Sequence, residues 1–388
     1  MKRHALIALL IALAAAGLGA DETTEVYRRI YLEAEGLRQK QAAVLDLVRL
    51  GDRETAPVLA EALGKLLADE ANYTAASEKE LLGRMARDLA AALGDYKYAE
   101  AAPLLWAAVE QLDDPLARSE ALVALGKTRS LAYAERIALL LESLNLQPSP
   151  DADSGEKLAF GAILALEKLR DERGFAPVFF ASEGWYSQRV RQQAERSLPN
   201  IAEDPTDRIV ALLAAETPAR MVRAFKAEIA SKAPVPRKSE AALQALRMGH
   251  QRSGRDKAES LALLELRKLA LRSLVAYKAS GPGPVEGCAA SYASGYDDEE
   301  RLLALQALGA NGGDEAAAVL RDVILKLNDE QRAGLGSEAR NRMAKAAIEN
   351  AAASKNRIVK PALLLVANND KWSGGIISAA KAAQAAIP

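Results

Sequence analysis

Apolar and polar positions alternate along this chain with a helical period. In residues 186–201, Tyr186, Val190, Ala194, Leu198 and Ile201 fall three or four apart, which is one apolar stripe. Arg189, Gln192, Gln193 and Arg196 fall on the other side. Residues 258–277 are different. Leu261, Leu263, Leu264, Leu266, Leu269, Leu271 and Leu274 wrap more than one face, so this helix needs neighbours on several sides. Period-two runs of Val, Ile and Thr are hard to find, so the pattern predicts helices throughout.

One helix ending recurs. It is spelled A-L-x-A-L-G at 121–126 and 304–309, with looser copies at 89–94, 165–170, 242–247 and 273–278. Together with the endings at Gly51 and Pro199, the last positions are 51, 94, 126, 170, 199, 247, 278 and 309, which lie 29 to 48 residues apart. Weaker copies follow at 347–352 and 382–387. A short polar turn and a second apolar helix come after each copy, as in "RETAPVLAEALGKLL" and "DEAAAVLRDVILKL". The spacing predicts one helical hairpin per repeat. Asp114-Pro115, Asp204-Pro205 and Thr217-Pro218 place a capping side chain before a proline at the expected first helical position. Ser77 and Glu80 have capping-box spacing, and "DDEE" at 297–300 puts carboxylates at a helix start.

Composition adds two things. The chain is half hydrophobic, only 5% aromatic, and carries a net charge of −1, which suits a folded helical protein. Its first 20 residues stand apart: a basic "MKRH", an apolar run ending in small residues, then Asp21. This is the layout of a secretory signal peptide, with cleavage expected near Gly19 or Ala20; an uncleaved anchor is the alternative. The mature chain is expected outside the cytoplasm, in the periplasm or beyond, as a monomer. Cys288 is the sole cysteine, so no disulfide framework exists, and a small buried residue is the expectation.

The repeated element resembles the second helix of HEAT repeats, relatives of the armadillo repeats. "ARSEALVALG" at 117–126 and "ERLLALQALG" at 300–309 match it throughout, and "VRQQAERSLP" at 190–199 matches its first half. The polar turn before it recurs at Asp113, Asp114, Asp171, Asp297 and Asp298. The resemblance implies an all-α fold, a right-handed α-solenoid of stacked antiparallel helix pairs. Residues 21–388 would form one stack of eight or nine hairpins, with loop insertions near 145–156 and 231–256. It also implies a ladder of arginine and turn aspartate between neighbouring units, for which Arg118, Arg191, Arg301 and Asp171 are the candidates.

Catalytic groupings are sparse. His250 is the one histidine after the leader and is expected in an exposed loop, so no His/Cys metal site, no cofactor and no catalytic triad are expected. "SAAK" at 378–381 lacks the companion motifs of an S-x-x-K enzyme. "DADSGE" at 151–156 fails as a calcium loop because Ala162 stands where the closing glutamate belongs. "GPGPVEG" lacks the strand and spacing of a phosphate-binding loop. HEAT-like lyases and DNA glycosylases keep an enzymatic reading open, but Trp106, Trp185 and Trp372 fall in separate repeats.

Charge is uneven. Residues 220–278 hold fourteen basic and five acidic residues, a net of +9 within a chain that totals −1. Arg247, Arg252, Arg255 and Lys257 are candidates for contacting a partner, as are Arg267, Lys268 and Arg272. The leading expectation is a non-enzymatic scaffold binding a protein in the cell envelope. The alternative is attachment to an anionic lipid or polymer through this basic region. Export makes nucleic acid a poor candidate.

Overall fold

A computed structural model describes residues 20–146 and 151–388. The segment 1–20, where a signal peptide is expected, lies outside them, apart from Ala20. Among the described residues there are twenty α-helices and no strand. None of these helices is long and apolar enough to cross a membrane. The chain divides into two compact units, one ending at Glu203 and the other starting at Asp204. A single stack over 21–388 was expected, and stacking is described below for each unit alone.

Unit 1 contains five hairpins: α1 (Ala20–Glu33) with α2 (Leu37–Leu50), α3 (Ala56–Ala68) with α4 (Ala76–Asp95), α5 (Ala102–Gln111) with α6 (Pro115–Thr128), α7 (Ala134–Leu146) with α8 (Ala152–Leu169), and α9 (Phe175–Glu183) with α10 (Gln188–Ile201). The second helices pack on one another in order, α2 on α4, α4 on α6, α6 on α8 and α8 on α10. Unit 2 repeats the plan: α11 (Thr206–Ala215) with α12 (Pro218–Ala230), α13 (Val235–Gln251) with α14 (Lys257–Tyr277), α15 (Pro282–Ser294) with α16 (Asp298–Asn311), α17 (Asp314–Arg332) with α18 (Glu338–Ser354), and α19 (Lys360–Ala367) with α20 (Gly374–Ala386). Each unit is therefore a run of stacked helix pairs, and the all-α expectation holds.

Among the described residues ten hairpins replace the eight or nine expected, because the weak copies at 347–352 and 382–387 are also second helices, α18 and α20; one second-helix ending was also misplaced. The region 231–256 is not a loop insertion: α13 occupies most of it. Its "ALQALR" looks like a second-helix ending but sits in the first helix of its hairpin. The true second helix before it is α12, where "AFKAEIA" replaces the motif and buries Phe225 and Met221 instead. Near 145–156, α7 ends at Leu146 and Asp151 caps α8, with 147–150 outside the described residues.

The repeated glycine has a packing role. A Cβ on Gly94 would lie 2.8 Å from the Cα of Ala124, and one on Gly126 would lie 2.6 Å from the Cα of Ala165. In unit 2 a Cβ on Gly309 would lie 2.7 Å from Oδ1 of Asn350. Successive second helices thus approach closely where only a hydrogen fits. The apolar stripe of α10 is buried as its period requires, and α14 packs on α12, α13 and α16 together, which explains its several leucine faces.

Helix starts follow local chemistry. The Asp114 carboxylate accepts the Leu116 N–H at 2.9 Å, with Pro115 at the first helical position. Asp204 accepts the Thr206 N–H at 3.0 Å, so α11 begins one residue after Pro205. Pro218 opens α12, but Thr217 makes no capping bond. The box expected at Ser77 and Glu80 does not form; two residues earlier the Glu78 carboxylate accepts the Ala75 N–H at 3.2 Å, which is half of a box, since Ala75 has no side-chain acceptor. In "DDEE" Asp297 caps the helix by accepting the Glu300 N–H at 2.9 Å, and Glu300 reaches back to accept the N–H of Tyr296, one residue before the cap, at 2.9 Å.

Candidate functional site

The predicted ladder does not form as expected. The Arg118 Nε donates 2.7 Å to the carbonyl of Val109, in the first helix of its own hairpin, and burial lowers its guanidinium below the ordinary value. Arg301 donates 3.1 Å to the Gly295 carbonyl just after α15 and lies 3.9 Å from Asp298. Arg340 reaches the Leu335 carbonyl in the same way. These cations therefore tie the end of a first helix to its own second helix, where the free carbonyls and the negative end of the dipole favour them. Arg191 is exposed. Asp171 holds Arg173 through both carboxylate oxygens, at 2.8 and 2.7 Å, so the Arg191–Asp171 pair is corrected.

Ion pairs between hairpins do exist, on other residues. Unit 1 has Arg28 with Glu61 (2.6 Å), Lys40 with Asp69 (3.2 Å), Lys79 with Asp113 (2.7 Å) and Lys127 with Asp95 (2.8 Å). Unit 2 has Arg237 with Asp204 (3.0 Å) and Lys226 with Glu265 (2.7 Å).

The basic window 220–278 is largely used up by such pairs. Arg267 grips Glu300 at 2.6 and 3.1 Å and also donates to the Gly249 carbonyl at 2.9 Å. Lys268 bonds Asp297 and Glu299, Arg272 bonds Glu299, and Arg255 bonds Glu259. Arg252 donates to the carbonyls of Glu216 and Ala214. Asp297, Glu299 and Glu300 lie outside the window, as does Glu216, whose carboxylate holds Arg220 at 3.0 Å, which is why counting charge within it overstates the surface. Of the seven candidates, Arg247 and Lys257 are exposed without a side-chain partner among the described residues.

The reactive residue types are set into the fold. Cys288 is buried, and burial pushes its thiol up to about 12. His250 is not in a loop: it ends α13, half-buried, with Nε2 at 2.7 Å from Oγ of Ser291. Burial, then the Arg267 charge, lowers its pKa and favours the neutral ring. Among the described residues no group of three or more His, Cys, Asp and Glu could hold a metal ion.

Glu228 is fully buried, with Oε1 accepting from Thr206 at 2.9 Å and Oε2 unpartnered. Burial raises its pKa above the ordinary 4.5. A carboxyl with a raised folded pKa stabilises the fold fully below the unfolded value and loses that contribution as pH rises through the folded value. Glu228→Gln is therefore expected to remove a fall in stability above about pH 4.5. Urea midpoints at pH 4 and pH 7 check this; an unchanged difference between the two pH values contradicts it.

One surface feature remains unspent. In unit 1 a cleft of about 460 Å³ lies at the C-terminal ends of α4, α6, α8 and α10. Gly94, Asp95, Lys97, Gly126, Lys127, Arg129, Glu167, Lys168, Arg170 and Asn200 line it. Lys97, Arg129 and Arg170 follow three successive second helices and adopt left-handed backbone, with φ of 53°, 57° and 57°. Glycine is the usual residue there, since a side chain in this conformation costs about 1 kcal/mol or more. Lys97, Arg129, Lys168 and Arg170 are exposed, and their side chains have no hydrogen-bond or ion-pair partner among the described residues. The two acids are occupied: Asp95 by Lys127 at 2.8 Å, and Glu167 by the Ser197 hydroxyl at 2.7 Å. The arrangement can bind anions. Sequence reading passed over it, though a Lys or Arg just after a helix ending, as in "LGDYK", "LGKTR" and "LEKLR", is a legible sign.

No protein-family profile matches the chain, and no curated protein sequence matches it. Several solved structures do. An engineered protein is 17% identical, with 94% of this chain and 98% of that chain covered and a TM-score of 0.36. Human deoxyhypusine hydroxylase, in complex with glycerol, is 16% identical, with 85% and 96% covered and a TM-score of 0.27. A circular tandem repeat protein is 14% identical, with 97% and 86% covered and a TM-score of 0.22.

Proposed function

We propose that this chain is a non-enzymatic helical-repeat scaffold of HEAT type, exported to the cell envelope, where it holds a protein partner. The observation that carries the reading is the row of unpaired cations along the unit 1 cleft, on the same register position of three successive hairpins. Stacked repeats present such rows because each repeat adds one copy of the same local geometry. The spent state of Cys288, His250 and the 220–278 cations agrees with a binding role centred on the cleft, and gives the anionic-surface alternative through 220–278 little support.

A photo-cross-linking residue at Ser130, beside Arg129, tests the reading in intact cells. It is expected to trap a discrete envelope protein, while the same residue at Glu80 traps none. Equal trapping at both positions, or none at either, counts against the scaffold. Fractionation and sequencing of the mature N-terminus test export: the expected start is Ala20 or Asp21, and full-length chain confined to the cytoplasm contradicts it.

A further inference from the structure

We infer that the unit 1 cleft recognises an extended acidic peptide, with one carboxylate placed against each of three successive hairpins. This rests on the scaffold reading and names the chemistry of the partner.

The charge balance comes first. Lys97, Arg129, Lys168 and Arg170 bring four unpaired positive charges to the cleft; Lys127 balances Asp95, and the Glu167 carboxylate, held by a neutral hydroxyl, leaves a net of +3. Four helices, α4, α6, α8 and α10, also end here, and each contributes about −0.5 charge from its dipole. That offsets about 2 of the three, so the cleft keeps a positive surplus.

The dipole alone does not explain these residues. Gly51 after α2 and Gly312 after α16 hold the same left-handed position at helix ends with the same dipole. Every non-glycine residue with positive φ among the described residues is a cation: Lys97, Arg129, Arg170, Lys278 and Lys355. In unit 2, Gly312 separates Lys278 from Lys355 in the repeat order, so three cations in succession occur only in unit 1. Strained backbone is thus accepted on three of the four hairpins bordering the cleft.

Geometry selects the ligand. Packed neighbouring helices lie about 8–10 Å apart. A polyproline II chain rises about 3.1 Å per residue with three residues per turn, so every third side chain returns to one face after roughly 9 Å. Acidic residues at every third position would meet one cation per hairpin. The guanidinium forks of Arg129 and Arg170 suit carboxylates, which they can hold through two parallel bonds. A cleft of about 460 Å³ is large for one inorganic anion.

The probe is fluorescein-labelled (Glu-Pro-Pro)4, titrated with the full chain and read by anisotropy. Binding is expected, weaker with rising salt, and absent for (Gln-Pro-Pro)4. The triple variant Lys97→Gly, Arg129→Gly, Arg170→Gly keeps the left-handed turns and removes the charges. It is expected to bind about tenfold weaker or worse, since exposed pairs each contribute modestly and three are lost. Lys278→Gly with Lys355→Gly makes the same backbone change outside the cleft and should bind like the parent.

Equal binding by the triple variant overturns the inference, as does equal loss in the double variant. Displacement of the peptide by millimolar phosphate, or by phosphatidylglycerol vesicles, with the same dependence on the three cations, overturns the peptide assignment. Absence of peptide binding overturns it too. If the Ser130 cross-link persists in that case, the scaffold reading stands and only the acidic-peptide inference falls.

Discussion

Arg267→Met is expected to destabilise the protein by about 3–5 kcal/mol, the cost of breaking one side of a buried ion pair. Glu300 is fully buried, and the Arg267 side chain is only 13% exposed. Their two bonds, at 2.6 and 3.1 Å, link α14 to α16, and the third Arg267 bond ties α13 to the same point through Gly249. Without the arginine, Glu300 keeps a backbone donor at Tyr296 but remains a carboxylate out of water. The loss comes from that stranded charge, because a buried pair as a whole adds little net stability. Adding Glu300→Gln to Arg267→Met should therefore restore part of the loss. Urea unfolding of parent, single and double variants reads this directly; a single variant as stable as the parent contradicts it. The His250 ring, whose pKa the Arg267 charge helps to lower, should titrate higher in the single variant.

The second large effect is at Gly126. Alanine is the better helix former by about 1 kcal/mol, so on propensity alone Gly126→Ala would stabilise α6. Its Cβ would instead meet the Ala165 Cα at 2.6 Å and the Ala165 carbonyl oxygen at 2.9 Å. Both are backbone atoms of α8, so relief requires moving a whole helix. Overpacking of this kind costs about 1–3 kcal/mol and is expected to win. Gly64 in α3 provides the contrast. Its added Cβ would meet only the Leu104 side chain, at 3.5 Å, an ordinary contact. Gly64→Ala should gain several tenths of a kcal/mol. Opposite shifts in unfolding midpoint for these two changes would establish close helix approach as the reason for the repeated glycine.

Much of the fold was legible because helical period, proline and capping residues act within a few positions. The α10 stripe, the many-sided α14 and the Asp114 and Asp297 caps all follow from neighbours in sequence. One hairpin was misplaced where α12 fills its core with Phe225 and Met221 in place of the leucine motif, and the count fell short where α18 and α20 carry only alanine-rich copies of it. Pairing between hairpins was not legible, because it depends on how one helix slides against the next. Arg118 and a turn aspartate can be named from a motif, but only stacking decides that Arg118 finds the Val109 carbonyl. The cleft was hidden for another reason. A cation after a helix end reads as ordinary dipole chemistry, and its meaning emerges only when three such ends line up.

The left-handed cations also make the cleft a counting device. Each belongs to one hairpin, and Lys97 and Arg129 bound a segment that begins and ends at the same turn. A tandem copy of that segment would insert one further tooth of the same pitch, and its removal would take one away. Ligand length could then change by whole steps through duplication, with no new contact having to be invented.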